Sequence, residues 1–346
     1  GDWEENRKKL PGSIKSVARA VNRMGMKFGL WFEPECVNQD SDLYRNHPDW
    51  AIAVPSRTPS LGRNQMVLDL TRKEVRDYIV KSVDDILKSA NIEYVKWDYN
   101  RHISDMYSKS LENQGEFYHK FILGLYEVLD RIFHKLNPNV LFESCSSGGG
   151  RSDYGALLHF DQVWTSDNTD SIDRMTMQKW FTYLRPTKAM RAWVTDINWY
   201  NSPMSLDFRF NVAMQGSLGV GGNLTKYSIG DLATARKNVT LYKEIRHLVQ
   251  FGDLYRVLDP DRDEILFNVY VSEDKNEAVG FLSSVVTRFM QKQIPLKFEG
   301  LDDNKVYKLK IGSAKYEKSG AFLKNVGIPV TVRGMGYNQI IKIKAK

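Results

Sequence analysis

The sequence of 346 residues contains little cysteine, and this scarcity excludes two classes of protein. Cys36 and Cys145 are too few for a disulfide framework and have no C-x-x-C spacing for a metal. The six histidines show no ligand spacing such as H-E-x-x-H, so we expect neither a metal site nor a cofactor. A reducing compartment suits this composition, and we expect the protein to be cytoplasmic.

Long apolar runs are also missing from the sequence. No stretch approaches the roughly 20 apolar residues that are needed to span a bilayer. The opening segment, GDWEENRKKL, lacks the apolar core of a signal peptide. We therefore expect no association with a membrane.

Positive charge is not spread along the chain, although the net charge is +7. The whole excess lies in residues 301–346, where lysines alternate with apolar residues in VYKLK and IIKIK. This alternation is typical of strands with one solvated face and lysine-protected edges. A nucleic-acid binder gathers its lysines and arginines into a basic face instead, so we expect no nucleic-acid partner.

The order of apolar patterns predicts an α/β protein with a β-rich end. Up to about residue 250, short apolar runs alternate with helical patterns, which is typical of a parallel sheet. Helical spacing of apolar residues predicts helices near residues 75–87, 117–133 and 232–249, and Thr71 with Glu74 predicts a capping box before the first. The predicted strands are MKFGLWFEPE (26–35), IEYVKWD (92–98), VLFESCS (140–146), QVWTSD (162–167), RAWVTD (191–196) and, more weakly, GVGGNLTK (219–226).

The segment YVKWDYNR (94–101) places charged side chains inside an apolar strand pattern. Side chains alternate along a strand, so Lys96, Asp98 and Asn100 share one face. Asp is depleted in strands, and an unpaired buried carboxylate is costly. Lys96 and Asp98 therefore form either a structural ion pair or part of a catalytic group, and this segment alone favours neither interpretation.

Acidic and polar residues follow most of the predicted strands, at Glu33 with Glu35, at Asp98, at residues 143–147, at Asp167 and at Asp196. The carboxyl ends of parallel strands carry the active site in a (β/α) barrel. A single aspartate at such a position is equally well explained as a helix N-cap or a turn former, and this alternative applies to Asp196 and to Asp170. Five successive strands that end in acidic or polar residues favour an active site.

Tryptophans in or beside these strand ends indicate the kind of ligand. Sugars present apolar C–H faces and a rim of hydroxyls, so a sugar site needs flat aromatic surface beside planar polar groups. For any one of these tryptophans, core packing is the more common role. The five residues are Trp31, Trp97, Trp164, Trp193 and Trp199.

Four motifs in this order, GLWFEPE, VKWDYNRHI, ESCSSGGGR and WTSDNTD, resemble the central barrel of the family 36 glycoside hydrolases, typified by bacterial α-galactosidases. The resemblance implies an α/β fold with a (β/α)8 TIM-type barrel over residues 1–250 and a small antiparallel β-sandwich over residues 251–346. It also implies that this chain holds barrel strands three to eight. The first two strands, with an acidic DDGW segment, and an N-terminal β domain would then belong to a longer enzyme.

The resemblance also implies roles for individual residues. Asp98 of KWD would be the catalytic nucleophile and Asp167 of TSDNTD the acid/base. The implied substrate is an oligosaccharide with a terminal α-galactose, as in melibiose or raffinose, and a homo-oligomer is expected by analogy. The implied sugar-binding residues are Trp31, Arg63, Lys96, Asn100, Cys145 and Gly148.

The residue types fit a retaining mechanism, which needs two carboxyls about 5–5.5 Å apart, one ionised and one protonated. Lys96, on the face of Asp98, would favour the ionised form of that carboxyl by Coulomb attraction. Burial and the nearby charge of Asp98 would favour the protonated form of Asp167.

Other functions stay open at this point. A transglycosylase is a close variant of the hydrolase, and a barrel that binds a sugar or a partner chain without turnover is an alternative of a different class. The motif SCSSGGGR matches neither G-x-G-x-x-G nor a P-loop, and no histidine has a recognisable pairing with Cys145. This loop is therefore interpreted as a close backbone approach to sugar.

Overall fold

A computed structural model describes residues 1–196, 204–285 and 292–346 of the chain. These residues form two compact units, 1–164 and 165–346. Trp199 lies outside the described residues. The predicted division near residue 250 falls within the second unit and stays a prediction.

The first unit alternates strands and helices, as the sequence predicts. Strand β1 pairs with β4 and β4 with β5 in parallel, and β5 pairs in parallel with β6. Strands β2 and β3 form a separate antiparallel pair. The elements are α1 (Ser13–Arg23), β1 (Gly29–Phe32), β2 (Cys36–Asn38), α2 (Asp42–Asn46), β3 (Gln65–Val67), α3 (Lys73–Ser89), β4 (Tyr94–Trp97), α4 (Phe117–Leu129), β5 (Leu141–Ser144), α5 (Tyr154–Leu157) and β6 (Gln162–Trp164).

The helices of this unit bury the apolar faces that the spacing predicts. Helix α3 buries Val75, Ile79, Val83 and Leu87. Helix α4 buries its stripe in the same way and continues as a π-helix over Asp130–Leu136, where the stripe ends with buried Ile132 and Phe133. The stripe predicted over 117–133 is therefore confirmed.

The predicted capping box at Thr71 and Glu74 is wrong. The Thr71 hydroxyl donates to Asp69 Oδ1 at 2.6 Å, and Glu74 accepts from Arg72 Nε at 2.7 Å. Helix α3 begins at Lys73 without a side-chain cap. Each of the two side chains bonds to a residue two positions away instead of the residue three positions away that a capping box requires, and the T-x-x-E spacing does not reveal this.

The second unit contains two parallel strands and an antiparallel part. Strands β7 and β8 pair in parallel, and β9 to β11, β13, β14 and β16 form an antiparallel sheet in the order β14-β13-β16-β11-β10-β9. Strands β12 and β15 form an antiparallel pair. The elements are α6 (Ser171–Leu184), β7 (Met190–Val194), α7 (Leu206–Ala213), β8 (Ser217–Val220), α8 (Ile229–Phe251), β9 (Asp253–Leu258), α9 (Pro260–Asp263), β10 (Ile265–Val271), β11 (Glu277–Ser284), β12 (Lys292–Leu296), β13 (Val306–Ile311), β14 (Ala314–Ser319), α10 (Gly320–Asn325), β15 (Ile328–Val332) and β16 (Asn338–Ala345).

The lysine-rich tail has the arrangement that its alternation predicts. In β13, Tyr307 and Leu309 are buried while Lys308 and Lys310 are exposed. Strand β14 lies at the edge of the sheet and exposes further lysines. The positive charge of residues 301–346 is therefore distributed over solvated strand faces.

The sixth predicted strand is displaced. GVGGNLTK (219–226) was expected as a strand, but β8 covers Ser217–Val220, and a short helical turn follows over Leu224–Lys226. A Cβ at Gly219 or Gly221 would come within 2.6 Å of the Trp193 ring. Glycine is needed here because the strand packs directly on this indole, and glycine weakens the strand pattern in the sequence.

Candidate active site

The carboxyl ends of β1, β4 and β5 meet at one edge of the first unit. The parallel register pairs Phe32 with Trp97 and Trp97 with Ser144. The backbone N–H of Asp98 donates to Phe32 O at 2.7 Å, and that of Cys145 donates to Trp97 O at 2.9 Å. The residues that follow the three strands are thereby brought together, as predicted for strand ends in a barrel.

Asp98 is buried at this edge, with 7% of its surface exposed. Its Oδ2 accepts from Trp31 Nε1 at 3.0 Å, and its Oδ1 accepts from the Tyr99 backbone N–H at 2.9 Å. Burial acts to raise the pKa of Asp98, but polar contacts from Asn100, Trp31, Cys145 and the Tyr99 N–H outweigh it and hold the pKa below its ordinary value. The carboxyl is therefore ionised at neutral pH although it is buried.

Lys96 pairs with a second buried carboxylate, that of Glu143. Its ammonium lies 3.4 Å from Glu143 Oε1 and 4.4 Å from the centre of the Trp164 ring. Glu143 is fully buried and also accepts from the Tyr94 hydroxyl. Hydrogen-bond donors around Asp98 hold its pKa low, and the Coulomb contribution of Lys96 stays a prediction.

Trp31 presents aromatic surface beside Asp98. The side chain lies on β1 and is 45% exposed, and its ring packs at 5.9 Å from the ring of Trp3. One edge is thus fixed by the hydrogen bond to Asp98 while part of the indole remains open to solvent. An exposed, oriented indole next to a carboxylate suits the apolar face of a sugar.

The loop after β5 is shaped by its backbone. Ser147 and Gly148 both have positive φ, at 46° and 87°, and the Ser146 N–H donates to Gly148 O at 2.9 Å. The Ser146 hydroxyl donates to Tyr99 O at 2.9 Å, which ties the loop to the segment after Asp98. The glycine is required because a φ of 87° is unfavourable for a residue with a Cβ.

Cys145 begins this loop as a buried thiol. Burial raises its pKa to about 12; the charge of Asp98 adds to this shift, and the charge of Lys96 opposes it. The side chain is therefore a neutral thiol that donates towards Asp98, and it is unsuited to nucleophilic attack.

Arg63 lies in a tight turn next to the strand ends. Gly62 and Gln65 exchange backbone hydrogen bonds, and the two central residues, Arg63 and Asn64, have φ of 53° and 59°. Two positive φ values at the centre of a two-residue hairpin correspond to a type I′ turn. The guanidinium of Arg63 lies 3.7 Å from buried Glu33 and is 58% exposed.

A buried ion pair behind the site was not assigned a role from the sequence. Arg151 donates to both oxygens of Glu35, at 2.7 and 3.0 Å, and its guanidinium lies 4.8 Å from the centre of the Tyr99 ring. Trp97 Nε1 also donates to Glu35, at 2.7 Å. This cluster fixes the end of the glycine loop to the segment after β1, and it assigns Trp97 to the core.

Asp167 lies in the second unit, in the loop before α6. Arg174 is buried behind this loop and donates to Ser166 O at 2.9 Å and to Asn168 O at 2.8 Å. Burial lowers the pKa of Arg174 to about 10, and the charge of Asp167 opposes this shift. The Asp167 side chain is exposed, so the predicted burial of this carboxyl is wrong.

The two aspartates for which a helix-capping or turn-forming role was the alternative have such roles. Asp170 is the N-cap of α6 and accepts from the backbone N–H groups of Ile172 and Asp173. Asp196 accepts from the Asn223 backbone N–H at 2.7 Å and so holds the turn after β8. Both roles are typical of aspartate after a strand.

Within residues 1–196, 204–285 and 292–346, no group of three or more His, Cys, Asp or Glu side chains is arranged to hold a metal ion. The helices of the same ranges include none that is long and apolar enough to cross a bilayer.

The geometry of the first unit supports covalent chemistry on a sugar. An ionised, buried carboxylate can attack an electrophilic carbon, and the indole beside it can orient an apolar ring face. The amide of Asn100 lies beside this carboxylate, the guanidinium of Arg63 lies beside Glu33, and such polar groups suit the hydroxyls of a sugar.

Known families match this chain over most of its length. The melibiase family matches residues 1–252, and the glycosyl hydrolase family 36 C-terminal domain matches residues 268–339. The α-galactosidase AgaA of Geobacillus stearothermophilus is 42% identical over 313 residues, which cover 89% of this chain and 43% of that protein. The chain thus spans less than half the length of this curated relative.

Solved structures share the fold throughout. The family 36 α-galactosidase AgaB of Geobacillus stearothermophilus matches with a TM-score of 0.96 and 40% identity, covering 100% of this chain and 48% of that one. A variant of AgaA in complex with raffinose matches with a TM-score of 0.95, 40% identity and the same coverage. The predicted fold, a TIM-type barrel followed by an antiparallel β domain, is confirmed.

Proposed function

The chain belongs to the melibiase family, and from this membership we propose that the protein containing it is a retaining α-galactosidase. Its substrates are oligosaccharides with a terminal α-galactosyl residue, of the melibiose and raffinose type. The relative that binds raffinose supports this substrate class. The observation that carries the proposal is Asp98, a buried carboxylate whose pKa is held low beside an exposed indole.

The proposed mechanism has two displacements. The Asp98 carboxylate attacks the anomeric carbon, the bond to the leaving oxygen breaks, and Asp167 gives its proton to that oxygen. In the second step Asp167 takes a proton from water, the water oxygen attacks the same carbon, and the bond to Asp98 breaks. Both steps invert the carbon, so the product retains the α configuration.

The sugar is held by groups of the first unit near Asp98. We propose that Trp31 contacts its apolar face, that Arg63, Lys96 and Asn100 bind its hydroxyls, and that the loop containing Cys145 and Gly148 approaches it through the backbone. The contacts of Asp98 support this arrangement, because hydrogen-bond donors around the carboxylate hold its pKa low.

The domain division and the setting of the protein belong to the same proposal. Residues 1–250 form the catalytic barrel and 251–346 a β-sandwich domain. The protein works in the cytoplasm as a homo-oligomer, and two buried free cysteines suit a reducing compartment.

The test is turnover of an aryl α-galactoside by the protein that contains this chain, with the aryl β-galactoside as control. Release of nitrophenol from the α-anomer alone is expected, and an NMR time course should show α-galactose first. Formation of β-galactose first would contradict the retaining mechanism. Galactose binding without any turnover would favour a binding barrel, and a galactosylated sugar as main product would favour a transglycosylase.

A further inference from the structure

Glu33 carries a buried carboxylate at the end of β1, with only 2% of its surface exposed. A buried charge is tolerated only when donors surround it. Its Oε1 accepts from the backbone N–H and from Nδ2 of Asn100, both at 2.8 Å. Its Oε2 accepts from Gln65 Nε2 at 2.9 Å, and Arg63 Nη1 lies 3.7 Å from Oε1. One carboxylate therefore connects the end of β1, the turn 62–65 and the segment after β4.

The contact with Glu33 fixes the amide of Asn100. Asn100 Nδ2 donates to Glu33, while Asn100 Oδ1 accepts from the N–H of Ser147 at 3.2 Å and from its hydroxyl at 3.4 Å. A flipped amide would direct its NH2 group at the Ser147 N–H and its oxygen at a carboxylate. Only one orientation satisfies both ends, and in that orientation Asn100 also helps to hold the pKa of Asp98 low.

The same carboxylate restrains the arginine turn. Arg63 is more than half exposed and has a long side chain, so it loses considerable conformational freedom when it is held in one place. The buried charge of Glu33 attracts the guanidinium, and its hydrogen bond to Gln65 anchors the base of the turn.

We propose that Glu33 is a positioning residue of the sugar site, which orients Asn100 and Arg63 beside Asp98. It acts through these two residues and contacts no reacting atom. This inference rests on the proposed function. The carboxylate supplies an acceptor for Asn100 and a charge for Arg63, and these two contributions are separable by substitution.

Glu33→Ala removes both contributions, whereas Glu33→Gln keeps an oxygen that accepts from Asn100. Loss of orientation next to a reacting centre costs up to about 100-fold, so we expect Glu33→Ala to lower kcat/KM for an aryl α-galactoside about 10- to 100-fold. We expect Glu33→Gln to stay within about fivefold, because a neutral hydrogen bond replaces the charged one. Glu33→Asp keeps the charge but shortens the side chain, and its loss should be intermediate; it replaces the alanine variant if that protein fails to fold.

A matched control separates positioning from stability. Asp84 of α3 is also a buried carboxylate, at 8% exposure, and it accepts from Asn137 Nδ2 at 3.3 Å. Asp84→Ala should lower the thermal midpoint as Glu33→Ala does but leave kcat/KM per titrated active site unchanged. An equal loss of kcat/KM in both variants would overturn the positioning role.

A double-mutant cycle with Asn100→Ala tests the route of action. If Glu33 acts through Asn100 and Arg63, adding Glu33→Ala to Asn100→Ala should remove only the contribution of Arg63 and lower kcat/KM by at most about fivefold, since coupled residues are not additive. Losses that multiply would overturn the proposal. A wild-type protein without turnover would refute the proposed function but not the role of Glu33. In that case the same double-mutant cycle is measured on the affinity for galactose by calorimetry, with the same criteria.

Discussion

Replacement of Trp31 by Phe removes one donor from Asp98 and keeps an aromatic face. Trp31 Nε1 lies 3.0 Å from Asp98 Oδ2. A hydrogen bond to a charged group contributes about 1.5–3 kcal/mol. Because Trp31 is 45% exposed, water can partly replace the lost donor. We therefore expect the lower end, about 1.5 kcal/mol, which corresponds to roughly a tenfold change in the acid dissociation constant of Asp98.

The sign of the pH effect follows from the ionised form. The bond from Trp31 favours the Asp98 carboxylate, so its removal raises the pKa of Asp98. Attack needs the carboxylate, and the acidic limb of the kcat/KM profile should therefore move to higher pH. The quantity to compare is kcat/KM at a pH below this limb, divided by the plateau value of the same protein. This ratio should be about tenfold lower in Trp31→Phe than in the wild type.

The profile is measured with an aryl α-galactoside whose departure needs little protonation, so that Asp98 dominates the acidic limb. Trp50→Phe is the control, because Trp50 packs on His47 and Tyr78 in the same unit. An acidic limb that does not move in Trp31→Phe, or that moves equally in Trp50→Phe, would refute this account of how Asp98 is kept ionised.

Three further predictions concern the acid/base and two buried ion pairs. Asp167→Ala should slow hydrolysis of raffinose far more than that of an aryl galactoside, since only the sugar leaving group needs a proton, and equal losses would count against the assignment. Arg151→Met should destabilise the protein by about 3–5 kcal/mol in urea unfolding, because it strands the charge of Glu35; adding Glu35→Gln should recover part of this, and strict additivity would contradict the pairing. Lys96→Met should destabilise the protein by about 3 kcal/mol, because it removes a cation 3.4 Å from the buried carboxylate of Glu143, and an unchanged unfolding midpoint would contradict this pairing.

The sequence predicts the elements of the fold where periodicity is strong. The stripes of α3 and α4 are visible because their partners in the core are apolar and the spacing repeats. Helix α6 is not predicted, since it buries polar side chains such as Arg174 and Gln178 and its apolar face is interrupted. Strand β8 is misplaced because glycines that pack on Trp193 remove the side chains on which the pattern depends.

The sequence also predicts which residues gather at the site, but not their partners. Alternation places Lys96 and Asp98 on one face, yet the strand register sets Lys96 opposite Glu143, which is 47 residues further along the chain. Glu33 and Glu35 are recognisable as polar residues after a strand. Their partners, Asn100 and Arg151, are distant in sequence, and only the fold brings them together.

The assignment of Asp98 as the nucleophile is tested by trapping the galactosyl-enzyme. A fluorinated α-galactosyl fluoride reacts with the nucleophile and slows the second step, and the labelled protein is then digested and analysed by mass spectrometry. We expect one fluorogalactosyl group on the peptide that contains Asp98, and none in Asp98→Ala. A label on Asp167 or on any other carboxyl would contradict the assignment, and so would a turnover near that of the wild type in Asp98→Ala.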